Sequence, residues 1–120
     1  MITSAKTQKL RDPTWGLAEV QQRLKEGRYL FSFSAQRDYQ NMGMSRKQAV
    51  ACIDLLCGAN FHCCFKYVDG CVHDCYKASP YDWYDENEEC ERSDVIFIKL
   101  YVDDEKRLVI ERFHLDGGRL

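Results

Sequence analysis

Apolar and polar positions alternate most sharply between Phe61 and Lys77 (FHCCFKYVDGCVHDCYK), two runs of aromatic and β-branched residues set about Asp69-Gly70. Asp-Gly tolerates the positive φ angles of a two-residue type I′ turn, so this stretch predicts a β-hairpin. That turn sets a register in which Val68 faces Cys71, Lys66 faces His73, Cys64 faces Cys75 and His62 faces Lys77. With side chains alternating, these residues share one face, and Cys63, Phe65, Tyr67, Val72, Asp74 and Tyr76 share the other. The aromatic face is expected to pack on the body of the protein. His62, His73, Lys66 and Lys77 would then converge outward, a setting suited to chemistry on a phosphate.

Elsewhere the period changes. Leu17, Val20 and Leu24 recur at helical spacing, with Asp12 as the expected N-cap, Pro13 at the first helical position and Gly27 as the stop. Tyr29 to Phe33 reads as a short extended piece. Ser34 is expected to cap a brief helix through Asn41, and Met42-Gly43-Met44 to turn the chain. Ser45 then caps a helix from Arg46 to Cys57 that buries Ala49, Val50, Ile53, Leu56 and Cys57. Residues 78 to 93 are polar, contain Pro80 and show no period, so a loop is expected. From Asp94 to Val102 the alternation returns, with Ile96, Ile98, Leu100 and Val102 on one side and Phe97, Lys99 and Tyr101 on the other. Arg107 to Leu115 follows as a last strand. Helices followed by four antiparallel strands predict an α+β fold, N-terminal helices packed on a small antiparallel sheet. One domain is expected over residues 12–116, behind a flexible tail of residues 1–11.

Composition narrows the class. The 120 residues are 45% hydrophobic and 30% charged, as in ordinary globular domains. With no apolar run of membrane-spanning length and a polar stretch from Met1 to Arg11, neither a transmembrane helix nor a secretory signal is expected, and a cytoplasmic location follows. The net charge of −2 hides an asymmetry. Residues 81–94 hold Asp82, Asp85, Glu86, Glu88, Glu89, Glu91 and Asp94 against Arg92 alone, which leaves the rest of the chain mildly basic. This acidic segment reads as a solvated loop, or as a cover for the cationic face or a contact for a partner. The seven cysteines are expected to be reduced, partly buried thiols. Cys64, Cys71, His73 and Cys75 share a face in the expected register, but no C-x-x-C pair occurs and flat strands do not close a zinc tetrahedron. No metal or cofactor is expected.

The order of elements and several local strings resemble the MqsR-type toxins of bacterial type II toxin–antitoxin systems, RNA-cleaving proteins with a RelE-like α+β fold. The resemblance runs from about Leu17 to Leu115. It rests on Leu-Lys-Glu-Gly at 24 to 27, Ser34-Ala35, Met42-Gly43-Met44, Phe61, His73-Asp74-Cys75-Tyr76-Lys77 and Ile96-Phe97-Ile98-Lys99, with a closing strand ending near Phe113. The family's Phe-Tyr-Lys falls on Phe61-His62-Cys63, its Gln-Asp-Val-Tyr-Arg on His73 to Lys77, its Val-Tyr-Leu-Lys on Ile96 to Lys99 and its closing Phe-Lys on Phe113-His114. Two of the departures install a histidine.

What the resemblance implies is a metal-independent endoribonuclease that arrests translation and growth. Its partners would be an RNA substrate and a cognate antitoxin with a zinc-binding, helix-turn-helix character. Cleavage by 2′-OH attack on the adjacent phosphate needs a base, an acid and a cation, and histidine serves both proton-transfer roles near its ordinary pKa of about 6.5. His73 and His114 are the expected acid–base pair, with Lys66, Lys77 and His62 as further catalytic candidates. Arg112, Lys99, Tyr76 and Phe97 are the expected substrate contacts, and Tyr101 a further stacking candidate. Against this stand blander roles, since exposed strand lysines discourage edge pairing and strand aromatics usually fill cores. A non-catalytic, toxin-like binding module and a small zinc protein are the rival readings.

Overall fold

Ile96, Ile98 and Leu100 are wholly buried, whereas Phe97, Lys99 and Tyr101 between them are half-exposed, so one side of the sheet carries the core. The computed structural model describes residues 6–8, 13–67 and 69–116. In chain order these form β1 (Lys6–Gln8), α1 (Leu17–Lys25), β2 (Tyr29–Phe31), α2 (Phe33–Met42) and α3 (Arg46–Asp54). A 3-10 turn (Gly58–Asn60) leads to β3 (Phe61–Lys66), β4 (Val72–Asp85), β5 (Cys90–Val102) and β6 (Leu108–Leu115). The strands make one six-stranded sheet in the order β1-β3-β4-β5-β6-β2. All neighbours are antiparallel except β2, which runs parallel to β6.

The chain is therefore α+β, as expected, with a mixed sheet in place of four antiparallel strands. Lys6–Gln8, expected in the tail, pairs with β3, and the piece after Gly27 becomes the other edge. The remainder of residues 1–11 and the expected cap Asp12 lie outside the described residues. The buried residues of all three helices, among them Val20, Ala35, Tyr39 and Ile53, join Tyr76, Ile96, Ile98, Leu100, Ile110 and Phe113 in one core. Among the described residues the opposite face of the sheet carries no helix.

Helix boundaries follow caps and tertiary competition. The Ala35 N–H donates to Ser32 Oγ at 3.0 Å, so Ser32 rather than Ser34 caps α2, and Gly43 closes it at φ +94°. Ser45 and Gln48 form a capping box at the start of α3, which ends at Asp54, earlier than expected. Pro13 does not start α1. Instead the Trp15 N–H donates to the buried Asp74 carboxylate at 3.0 Å, tying the preceding segment to β4 until Leu17.

Two further expectations are overturned. The β3–β4 connection is one residue longer than a type I′ turn, because Tyr67 N–H donates to Cys71 O at 2.9 Å and Gly70 occupies the left-handed region at φ +87°. Lys66 consequently faces Val72, Phe65 faces His73, Cys64 faces Asp74 and Cys63 faces Cys75. That slip exchanges the two faces of β3 relative to β4. The acidic stretch, expected as a loop, continues both β4 and β5 as a two-stranded arm with its turn at residues 86–89. Register shifts where Pro80 interrupts the ladder, a tolerated place for a residue without an N–H. Beyond it Trp83 is buried, and its Nε1–H donates to Asp94 Oδ2 at 2.8 Å. Asp85 accepts from the Asn87 and Glu88 N–H groups and from Arg92 Nε, each at 3.0 Å. Two acids that resemble solvated loop residues in the sequence are thus buried and hydrogen-bonded, as buried carboxylates must be.

Candidate functional site

The helix-free face is crossed by rows of side chains set by strand register. Phe65 and His73 stand beside Tyr101 and Val109; Cys63, Cys75, Lys99 and Arg112 form the next row; Lys77, Phe97 and His114 form a third. Lys99 is the centre of this face. Its Nζ donates to Tyr67 Oη and lies 5.0 Å and 5.1 Å from the centroids of Phe65 and Tyr67, a cation held on two rings.

His73 lies flat on Tyr101, with centroids 4.4 Å apart and planes 9° apart, and 4.7 Å from the Tyr67 ring. It is only 9% exposed, and its Nδ1 has no hydrogen-bond partner among the described residues. Burial first, and then the Lys99 ammonium, hold its pKa down to about 4, so the ring is neutral at physiological pH. His114 differs. Its Nδ1 lies 2.8 Å from the Leu115 carbonyl, which can only accept, so Nδ1 carries the proton and Nε2 is left for a substrate. The ring packs 5.2 Å from Phe97, and Lys77 Nζ beside them pairs with Asp116 Oδ2 at 3.0 Å.

The sequence-predicted residues divide. His73, His114, Lys77, Lys99, Phe97 and Arg112 share the open face, but His73 and His114 do not converge. They belong to rows four residues apart on β4, roughly 13 Å, and to strands two apart at roughly 4.8 Å each. One phosphate cannot be reached by both imidazoles in that arrangement. Lys66 points to the other side of the sheet from His73, contrary to the expected pairing. Tyr76 is wholly buried and packs edge-on against Phe61, so it is a core residue and not a base-stacking one. His62 is exposed at the register shift in β3, not opposite Lys77. Cys64 faces away from Cys71, His73 and Cys75, and its Sγ donates to Asp74 Oδ1 at 3.1 Å, which divides the four residues weighed as a zinc set. Burial and the Asp74 bond raise that thiol to about 11. Burial, then Cys63, push the Cys75 thiol up, so Cys75 stands in the floor of the face as a thiol and not a thiolate.

Arg112 is on the face but engaged. Its Nε and Nη2 bond the two oxygens of Asp38 on α2 at 2.9 Å and 3.2 Å, and the Phe113 N–H donates to Asp38 Oδ2 at 3.0 Å. β2 pairs with β6 only through Ile110, so Asp38 supplies the acceptor that the uncovered edge would lack. The bidentate bond raises the Arg112 pKa further.

Sequence reasoning missed Phe65, Tyr67 and Glu111. A two-residue turn places the first two on the buried side, and the signal for the longer loop is Gly70 at its last position, where φ is positive. Glu111 is the extra residue of a bulge in β6, where Lys99 pairs Arg112 but Leu100 pairs Ile110. Its carboxylate, after burial, raises the Tyr101 phenol, placing it at that end of the open face. Compared with known proteins, the chain matches no family model, no curated protein and no solved structure. Among the described residues no helix is long and apolar enough to cross a membrane.

Proposed function

We propose that the open face binds single-stranded RNA and that the protein acts as a RelE-like, MqsR-type toxin, a metal-independent endoribonuclease neutralised by a cognate antitoxin. The observation that carries the reading is Lys99, a half-exposed cation seated on Phe65 and Tyr67 beside the Tyr101–His73 stack, with Lys77, Phe97 and His114 one row away. Ring faces take bases of any sequence and cations take the phosphates between them, the combination single-stranded binding uses. His114, its Nδ1 fixed on the Leu115 carbonyl so that Nε2 is the other ring nitrogen, is the proton-transfer group, and Lys77 and Lys99 stabilise charge on the phosphorane. His73 is recast as part of the stacking platform.

A second reading, binding without cleavage, is favoured by the separation of His73 from His114, which leaves His114 without the expected partner. Cleavage of labelled single-stranded RNA in EDTA distinguishes the two. The nuclease reading expects cutting that falls roughly 100-fold or more in His114→Ala with affinity little changed, and a weaker affinity in Lys99→Ala. Binding without cutting by the unaltered protein establishes the second reading, and growth unaffected by expression of the folded chain removes the toxin role.

A further inference from the structure

Resting on that RNA-binding reading, we infer that acids at both ends of the open face confine bound RNA to a short single-stranded segment centred on Lys99. The cationic and aromatic window extends from the Tyr101 row to the Phe97 row, four residues of β5 or roughly 13 Å. Beyond Tyr101 the sheet ends in a cleft of about 620 Å³ lined in part by Asp69, Asp103 and Asp104. Glu111 joins them from the β6 bulge, since Cys71 at this corner is raised by burial and then by Asp69, Asp104 and Glu111. Asp103 is neutralised by Arg107 at 2.9 Å, but Asp104 is exposed with no cationic partner among the described residues.

At the other end the alternation of β5 carries the open side from Phe97 through Val95 and Ser93 to Glu91. Asp82 lies opposite Ser93 and Tyr84 opposite Glu91. Asp82 and Glu91 are exposed, and neither has an ion-pair partner among the described residues. Asp85 and Asp94 take the opposite parity and are buried, so they do not contribute. A phosphate carried along the strands past either end comes within a Debye length, roughly 8 Å, of these carboxylates. A strand crossing the window gains the Lys99 charge, since Lys77 is paired with Asp116 at 3.0 Å and Arg112 with Asp38 at 2.9 Å, while a longer one gains nothing from its flanks. The ligand is thus a loop, a bulge or a short unpaired run, and a continuous tract is excluded beyond its first few nucleotides.

The test measures affinity for 2′-O-methyl oligouridines of 4, 8 and 16 nucleotides, which cannot be cut through the 2′-oxygen, as a function of salt. Counterion release makes log K fall with log salt by about 0.7 per phosphate contacted on a single strand. The unaltered protein should give the same slope for the 8-mer and the 16-mer. The variant Asp82→Lys, Glu91→Lys, Asp104→Lys changes exposed residues alone and should steepen the 16-mer slope by about 2, as three new contacts would. Its neutral counterpart, Asp82→Asn, Glu91→Gln, Asp104→Asn, should fall between. A slope that already steepens with length in the unaltered protein overturns the inference, as does a reversed variant, folded by circular dichroism, whose slope does not change with length. Binding at no length overturns the RNA-binding reading and the inference together.

Discussion

At His73, burial and the Lys99 charge outweigh the opposing fields of Asp69 and Asp74, and the folded imidazole takes up a proton only near pH 4. The same side chain in the unfolded chain titrates near 6.5, so below that pH the unfolded state binds more protons. His73 therefore contributes stability that is fully present above pH 6.5 and is lost as the pH falls toward 4, at most ~3 kcal/mol by the size of the shift. His73→Phe retains a ring between Tyr67 and Tyr101 and removes the unpaired Nδ1. Between pH 7 and pH 4.5 the urea midpoint of this variant should fall less than that of the unaltered protein. Equal falls would mean that the imidazole titrates normally in the folded state.

Among the elements, α2 and β6 are joined by Asp38, which serves the Arg112 fork and the Phe113 N–H at once. Removing the acid leaves an edge amide without an acceptor, whereas removing the arginine leaves that amide bond in place. Asp38→Ala should cost roughly 1–3 kcal/mol in chemical denaturation, and Arg112→Ala distinctly less, because an orphaned donor costs more than a lost half-exposed ion pair. Equal losses would show that the guanidinium and not the amide is what Asp38 secures. In the β4–β5 arm the Glu88 amide leads in holding the Asp85 carboxyl below its usual range, followed by Arg92 and the Asn87 amide. Folded-state stability from this turn is therefore present above the ordinary carboxylate pKa and lost as the pH falls through the depressed one. Protection factors for amide exchange at residues 86–89, taken relative to the slower intrinsic exchange in acid, should fall on acidification, and Asp85→Asn should show that lower protection already at neutral pH.

At the scale of the molecule, the strands that finish the sheet come from the N-terminal half of the chain: β1 covers β3 and β2 covers part of β6. An uncovered strand offers a row of amides and carbonyls to another chain. Deleting residues 1–12 removes β1 and uncovers Cys64, Phe65 and Lys66. Sedimentation should then show concentration-dependent self-association stronger than that of the full chain. A deletion variant that stays monomeric and equally stable would mean that β1 adds nothing to the edge.

Local patterns read directly from the residues were the ones with short-range causes. Ile96, Ile98 and Leu100 against Phe97, Lys99 and Tyr101 needed only the period of a strand, the Ser45 cap only its neighbour Gln48, and the α+β class only the order of helices and strands. The face of β4 was legible for His73, and the face of β5 for Lys99. What the sequence left open was how segments meet. One residue in the loop around Gly70 decided whether Lys66 or Phe65 stands beside His73, and the energies of the competing turns differ too little locally to choose between them. The acidic arm read as a loop because its carboxylates find their donors across the hairpin, Trp83 for Asp94 and Arg92 for Asp85, contacts that exist only once the strands have paired. Arg112 read as a free cation because its partner Asp38 is far away in sequence. The sheet order brings α2 to the edge of β6, and the two hydrogen bonds between Arg112 and Asp38 satisfy both charges at once.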